Sequence, residues 1–531
     1  MALHIPKQGL SDMMKGGVKH FKGTEEAIYR NVEISNILSD SMKSAFGPYG
    51  RNKIIINHLG KMFLTSDVGS MLNEMEVENP IAKLLVMASK QQEQECGDGT
   101  NSVIIFSGTL LRNCADLVKS GLSIKDVCKG LEISLERSKL ILSNIPGMVI
   151  ESVFDKSIMN VVKSAIISKN VANCTLFTNL VVSACRDIYN DNNVNTDHVR
   201  VVKLLGNTLS ASTLVRGLAV KGECLSKINK ISDKNIAVFS CPLDLLKTET
   251  KGTVLFESSK ELMDYSKGEE DMVEKRMKAI YDAGVECLVV GGKVGDLALQ
   301  YADSLGMMVV RVSSKWDIRR IAYITGATPI PKIAIPTPQE FGSVKKAYTS
   351  SQNLIVFDQL ESSTNMTTIA VHGSTMAAID DAERAIDDGV NTFKILTRNG
   401  KVVPGAGSTE IEMAMKLRES ICKEDGVYQY VIEKFAESLE IFPVTLAENS
   451  GGNGVTMLEN LYVEHANGNK KAGVILKDCE ETEAWDSSLS KHWMLHFATQ
   501  CVLSILRVDE IIMAKRAGGP KPKTNPNWDE D

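Results

Sequence analysis

The chain reads as a mixed protein in which a mainly α-helical domain is split between the two ends and closes around an α/β excursion. Three observations predict this. Residues 24–145 carry apolar residues at helical spacing with clear start and stop signals, residues 214–358 switch to short apolar runs separated by helical ones, and helical patterning returns after 365. The changes of pattern place hinges near 145, 213, 372 and 400, so the expected units are 1–145 with 400–531, 146–213 with 372–399, and 214–371.

The first block is the clearest. TEEAIYRNVEISNILSDSMKSAF (24–46) opens on a capping threonine and the acids Glu25 and Glu26, repeats apolar residues at 28, 32, 34, 37 and 38, and stops at GPYG (47–50). KIIINH (53–58) and MFLTSDVGS (62–70) read as strands, the second running into a loop that contains Asp67. Pro80 suits the first turn of a helix over 80–96, whose apolar side is Ile81, Leu84, Leu85 and Ala88 and which Gly97 ends. A second helix over 101–120 follows at once, with a broad face of Val103, Ile104, Phe106, Leu110 and Leu111. Ser123 caps a third over 122–144, ended by Pro146 and Gly147. Helical patterning is expected to run on from 151 to about 213, broken at ISKN (167–170).

In the middle of the chain NIAVFS (235–240), ECLVVGG (286–292), MMVVRVS (307–313) and NLIVFD (353–358) read as strands, with helices over 294–306 and 314–326 between them. The GGK at 291–293 follows a strand and precedes a helix, but it lacks GxGxxG spacing, which favours a plain βα turn over a dinucleotide loop. A helix over 261–284 carries a stripe of Val273, Met277, Ile280 and Tyr281, readable either as core or as a contact surface. Further helices are expected over 376–398, after the small-residue loop of VVPGAGSTEIEMAMKL (402–417), over 427–440 and over 492–515, and the Pro/Gly-rich tail beyond 515 is expected to be disordered.

Composition narrows the function classes. With 531 residues, 43% hydrophobic and 24% charged, the chain has ample material for several cores, and a net charge of −6 argues against a broad nucleic-acid surface. There is no apolar run long enough for a membrane span, and MALHIPKQGL lacks the core of a signal peptide, so a cytosolic location with no membrane and no nucleic-acid partner is expected. Eleven cysteines are scattered without a CxxC pair, which favours buried thiols, Cys96 among them, over disulfides or zinc. His492 and His496 share a helix face but lack a third ligand candidate.

The stretch with chemical content is GDGTN (97–101). Gly97, Asp98 and Gly99 form a tight loop feeding a helix N-terminus, where backbone N–H groups and the helix dipole attract an anion and residues without side chains let it come close. Asp98 would repel a bare phosphate, so it makes sense in company with a Mg2+ ion, and Thr100 adds a hydroxyl. The plainer reading of the same residues is an Asp-capped helix start.

GPYG (47–50), TSDVGS (65–70), GDGTN (97–101), ERAIDDGVNTFKIL (383–396) and PGAG (404–407), in this order and around an α/β insert, resemble the group II chaperonins over essentially the whole chain. HIPKQGLSDMMKGGVKHF, SKWDIRRI, DDGVNTFKILTR and RVDEIIMAKRAGGPKP with its acidic end narrow the resemblance to subunits of the eukaryotic cytosolic chaperonin. The resemblance implies an equatorial ATPase domain made of the two ends, a small α/β intermediate hinge domain, and an α/β apical domain that contacts substrate and carries a helical lid protrusion near 261–284. It implies ATP and Mg2+ as ligands, paralogous subunits in a hetero-oligomeric double ring of eight per ring, and unfolded substrates such as actin and tubulin. Gly47, Pro48 and Gly50 would approach the nucleotide. The Gly97–Asn101 loop would bind it, Asp98 through Mg2+ and Gly99, Thr100 and Asn101 on the phosphates. Lys169 would sense the γ-phosphate, and Gly405, Gly407, Gly451 and Asp486 would surround the adenosine. Asp67 and Asp388 would orient or deprotonate the attacking water once the hinge domain closes.

The chain departs from the family pattern at Tyr49 (usually lysine), Val68 (glycine or alanine), Ala406 (glycine) and His372 (often arginine). Asp67, Asp98 and Asp388 are all present, so the resemblance implies hydrolysis; Tyr49 and Ala406 motivate a second reading, a structural ring member that seldom hydrolyses. A stand-alone metabolic enzyme built on GGK is the third.

Overall fold

A computed structural model describes residues 19–21, 24–150, 152–169, 171–189, 194–244, 258–350, 354–358, 366–421, 426–474, 484–509 and 511–513. The N-terminal helices are α1 (Thr24–Lys43), α2 (Val68–Glu74), α3 (Pro80–Cys96), α4 (Thr100–Lys119) and α5 (Ile124–Asn144). Local chemistry sets their ends: Asn79 Oδ1 accepts from the Ile81 N–H beside Pro80, Gly97 terminates α3 in the left-handed region at φ 66°, and Ser123 caps α5. The strands β1 (Lys19–Phe21), β2 (Lys53–Ile56), β3 (Met62–Thr65) and β4 (Met148–Val149) belong to the same part of the chain. The expected strand over 62–70 is shorter than its pattern, because Asp67 accepts from the Ser70 N–H and turns the following residues into α2.

Helices α6 (Ser157–Ile167) and α7 (Cys174–Ile188) follow, but 151–213 is not helical throughout. Strand β5 (Val199–Leu205) lies there, and β6 (Thr213–Arg216) begins where that stretch was expected to end. The sheet order is β5-β14-β6, with β14 (Thr367–Gly373) in the centre, so 367–373 is a strand where helix was expected to resume. Its β-branched run TTIAV is buried on both faces, which removes the alternation that would have marked it.

The insert is a seven-stranded sheet of order β7-β13-β12-β9-β10-β11-β8, formed by β7 (Leu218–Lys221), β8 (Glu223–Cys224), β9 (Lys230–Phe239), β10 (Val285–Val290), β11 (Met308–Arg311), β12 (Gly342–Ser350) and β13 (Leu354–Asp358). Three central strands, β9, β10 and β11, are parallel, and α8 (Ser259–Asp282), α9 (Asp296–Leu305) and α10 (Lys315–Thr325) connect them or flank them. The glycines of GGK are taken up by packing: a Cβ at Gly291 would lie 2.6 Å from Ile318 Cδ1 and one at Gly292 2.9 Å from Pro242 Cα, which fits a plain turn and not a phosphate cradle. On α8, Met277 and Ile280 are core residues. Side chains 261–269, within the expected lid protrusion of 261–284, lie outside the described residues.

The last segment holds α11 (Met376–Arg398), β15 (Lys401–Pro404), α12 (Ser408–Ile421), α13 (Tyr428–Leu439), α14 (Ile441–Asn449), α15 (Gly454–Ala466), β16 (Trp485–Ser487) and α16 (Ser488–Leu506). The expected helix over 492–515 starts earlier and stops at 506; Ile511–Met513 is a strand, β17, paired antiparallel with β1. That pairing joins opposite ends of the chain, which no local pattern reveals. The tail beyond 515 lies outside the described residues.

One large apolar core draws on both ends of the chain. Leu85, Val103, Phe106 and Leu110 pack with Met413, Phe435, Leu495 and Val502, and Phe106 meets Phe435 edge-on at 5.4 Å between ring centroids. A second core combines Val162, Ile166, Phe177 and Val181 with Ile369, Ile386 and Phe393. Burying an aliphatic or aromatic side chain of this size contributes about 1.5–3 kcal/mol, so α11 is firmly seated against α6 and α7. That packing brings residues near 388 over the loop at 97.

Candidate functional site

Three helix starts converge on one cavity of about 1110 Å³. It is lined by Gly99, Thr100, Asn101 and Ser102 at the start of α4, by Gly405, Ala406, Gly407 and Glu410 at the start of α12, and by Asp486, Ser487, Ser490 and Lys491 at the start of α16. Gly99 occupies the cap position of α4 at φ 83°, and no side chain caps that helix, so its first N–H groups are oriented for an anion. The plain Asp-cap reading therefore does not hold: Asp98 Oδ1 accepts from the Gly99 N–H at 2.6 Å, one residue too early to cap. Gly47 and Pro48 line the same cavity.

A smaller cleft of about 420 Å³ adjoins it and shares Asp98, Thr100 and Lys169. Here Asp67 and Asp388 face each other across one cation. Lys169 Nζ lies 2.7 Å from Asp67 Oδ1 and 2.8 Å from Asp388 Oδ2, and all three side chains are largely buried. These residues come from the cap of α2, the turn after α6 and the fourth turn of α11, so the cluster exists only because the two cores meet there. Gly97 permits the meeting: a Cβ on it would sit 2.3 Å from Asn391 Nδ2 on α11.

The environments separate the two acids. Burial alone would raise Asp67, but Lys169 and the hydrogen bonds from Lys169 and Ser70 hold its carboxyl far below the usual range. Burial, reinforced by the negative charges of Asp98 and Asp67, pushes Asp388 up to about 8 against the pull of Lys169. Burial likewise raises Asp98, aided by Asp486 and Asp67, and Asp98 enters no ion pair among the described residues. Lys169 acts on Asp98 only at a distance, being taken up by Asp67 and Asp388, and a carboxylate with no ion-pair partner next to an uncapped helix start would suit a Mg2+ ion together with phosphate oxygens and water. Among the described residues no group of three or more His, Cys, Asp or Glu side chains is placed to hold a metal ion.

Of the other residues singled out from sequence, Gly97 lines the smaller cleft, and Asp486 pairs with Lys491 Nζ at 2.8 Å at the edge of the larger one. Gly50 closes the turn after α1 through its N–H to Gly47 O at 2.9 Å without lining the cavity, and Gly451, at φ 82° just after α14, does not line it either. Ala406 stands in the left-handed region at φ 52°, a conformation that suits glycine. Cys96 is buried, and burial with the nearby Asp98 and Glu95 pushes its thiol up to about 12, so it is no reactive thiolate. None of the nine cysteines described is in a disulfide, and His496 lies 3.3 Å from Lys139 Nζ in a ring cluster with Trp493.

Sequence reasoning missed Glu410 and Lys491. They form a buried ion pair inside the larger cavity, and Glu410 is only 3% exposed. The signal available was an acid set among the apolar residues of STEIEMAM just after a glycine loop.

The comparisons agree with this architecture. Residues 38–516 match the TCP-1/cpn60 chaperonin family. The chain is 43% identical to T-complex protein 1 subunit theta of Homo sapiens over 545 aligned residues, covering 100% of both chains. The same protein of Mus musculus is 42% identical with the same coverage, and that of Caenorhabditis elegans 40%, covering 100% of this chain and 99% of its own. This chain therefore belongs to the TCP-1/cpn60 chaperonin family, and along its whole length it is similar to the theta subunits.

Proposed function

We propose that the chain is the ATP-hydrolysing theta-type subunit of a cytosolic hetero-oligomeric double-ring chaperonin of the TRiC/CCT kind, eight subunits per ring, which encloses and folds proteins such as actin and tubulin. The observation that carries the proposal is the Asp67–Lys169–Asp388 cluster, placed beside an uncapped helix start and a cavity large enough for a nucleotide. In this reading 1–145 with 400–531 is the equatorial domain, 146–213 with 372–399 the intermediate hinge, and 214–371 the apical domain with its lid.

The residues divide the work as follows. The α4 start, with Gly99, Thr100 and Asn101, cradles phosphate oxygens, and Gly47, Pro48, Gly405, Gly407 and Asp486 bound the nucleoside, with Gly50 and Gly451 shaping the turns behind them. Asp98 holds Mg2+, which when bound offsets charge developing on the phosphates. Lys169 bridges the acids, and in this reading it meets the γ-phosphate. Asp388, with its proton affinity raised towards neutrality, is suited to take a proton from the attacking water, and Asp67, held ionised, orients that water. Because Asp388 arrives on α11, hydrolysis requires the hinge to be closed, which ties turnover to lid closure.

The test separates binding from chemistry. In an assembled ring where every other site is disabled, Asp388→Ala here should bind Mg-ATP within about twofold of wild type and lose at least about 100-fold in turnover, the size expected for a general base. Turnover that persists in the variant contradicts the assignment. The structural-subunit reading remains tied to Ala406, whose left-handed backbone is retained without glycine.

A further inference from the structure

The two acids are joined twice, and the mechanism above uses only the Lys169 joint. The second joint is Arg384, four residues before Asp388 and so on the same face of α11. Arg384 Nη1 donates to Thr65 Oγ1 at 3.0 Å, and the same oxygen accepts from the Asp67 N–H at 2.9 Å. Thr65 is 1% exposed, so water does not compete for this contact. The same guanidinium nitrogen also donates to Asp381 Oδ1 at 3.0 Å, so the side chain cannot swing off Thr65 without loosening an ion pair.

We propose that Arg384 is a positioning residue of the hydrolytic site, a latch that holds the helix carrying Asp388 against the turn carrying Asp67; the inference rests on the ATPase reading above. The two joints differ in kind. The Lys169 ammonium is shared by two carboxylates, and an incoming phosphate competes for it by charge. The Arg384 guanidinium is held by the Thr65 hydroxyl and by Asp381 on its own helix, so it has a second anchor besides the acid pair. When Lys169 is drawn towards the nucleotide, the latch still keeps Asp388 opposite Asp67. Because Thr65 Oγ1 also bonds the Asp67 backbone, it transmits the position of one acid directly to the other.

The test uses the assembled ring with only this site competent, comparing Arg384→Gln, Arg384→Lys, Thr65→Val and the double variant Arg384→Gln/Thr65→Val. The latch predicts that Arg384→Gln lowers kcat by about 10- to 100-fold, the cost of a misplacement near 1 Å, with Mg-ATP affinity within twofold. Arg384→Lys, which can still donate to Thr65, should recover part of the rate, and the double variant should be no slower than the worse single one. Amide exchange in the nucleotide-free ring gives a readout independent of turnover: Arg384→Gln should speed exchange at residues 67–70, whose Asp67 and Ser70 N–H groups this network protects. Multiplying single effects, equal losses in affinity and rate, or unchanged exchange at 67–70 would each overturn the latch. A wild-type site that neither binds nor hydrolyses Mg-ATP would instead sink the ATPase reading, and the exchange experiment would then decide the latch alone.

Discussion

Replacing Lys169 with methionine removes one charge from the centre of the acid cluster while keeping most of the side chain's volume. With Lys169 Nζ 2.7 and 2.8 Å from its two carboxylates, each attraction is worth about 6 kcal/mol gross at an effective dielectric of about 20. Most of that offsets the cost of burying the charges; well above pH 8, where Asp388 is ionised, deletion of the buried cation exposes about 3–5 kcal/mol, because the remaining carboxylates face each other unneutralised, and the exchange comparison is made at that pH. Asp67, Asp388 and Asp98 come from three separate segments, so the cheapest relief is for α11 to move away from the Gly97 loop without the cores unfolding. The closed arrangement should lose two to nearly four powers of ten in stability relative to the open one. Hydrogen exchange in the assembled protein measures this: Lys169→Met should speed exchange at the 66–70 turn and near residues 386–392, and leave α4 and α5 protected. Adding Asp388→Asn removes one of the opposed charges and should restore a substantial part of the protection. Unchanged exchange in Lys169→Met, or a double variant as exposed as the single one, would refute the claim that this cation holds the two segments together.

Ala406→Gly should stabilise the protein by about 0.5 kcal/mol, since relief of a left-handed alanine, about 1–2 kcal/mol, exceeds the added unfolded-state entropy of glycine, about 0.5–1 kcal/mol; thermal unfolding reads the sign, and a lower midpoint would contradict it. Gly97→Ala should slow hydrolysis and lower the unfolding midpoint, because alanine is strained at φ 66° and the new methyl meets Asn391 on α11; a variant with wild-type turnover would show that this close approach is dispensable. Turnover should rise with pH through about 8, since Asp388 takes a proton only when ionised and its carboxyl holds one below that pH. A rate that is flat from pH 6 to 9 would remove Asp388 from the role of base.

The parts of this architecture legible in the sequence were those set by local chemistry. Helices α3, α4 and α5 announce themselves through Pro80, Gly97 and Ser123, and the strands β9, β10, β11 and β13 through short apolar runs bounded by turns. Less legible were strands whose partners are distant. VRVVKLL at 199–205 and TTIAVHG at 367–373 pair with each other across more than 160 residues, and being buried on both faces β14 carries no alternation. Ile511–Met513 resembled the end of a helix because its partner, Lys19–Phe21, lies at the other end of the chain. The site divides the same way. The Gly97–Asn101 loop could be read as an anion cradle from its composition, whereas Glu410, Lys491 and Arg384 owe their places to tertiary packing, and nothing in their flanking residues fixes what they touch.

The most direct measurement is Mg-ATP turnover by an assembled ring in which this subunit alone keeps its acids. The account predicts steady, Mg2+-dependent phosphate release that Asp388→Ala abolishes while the nucleotide stays bound. Nucleotide that binds at this subunit without phosphate release above background would contradict the hydrolytic reading and make the chain a structural member of its ring.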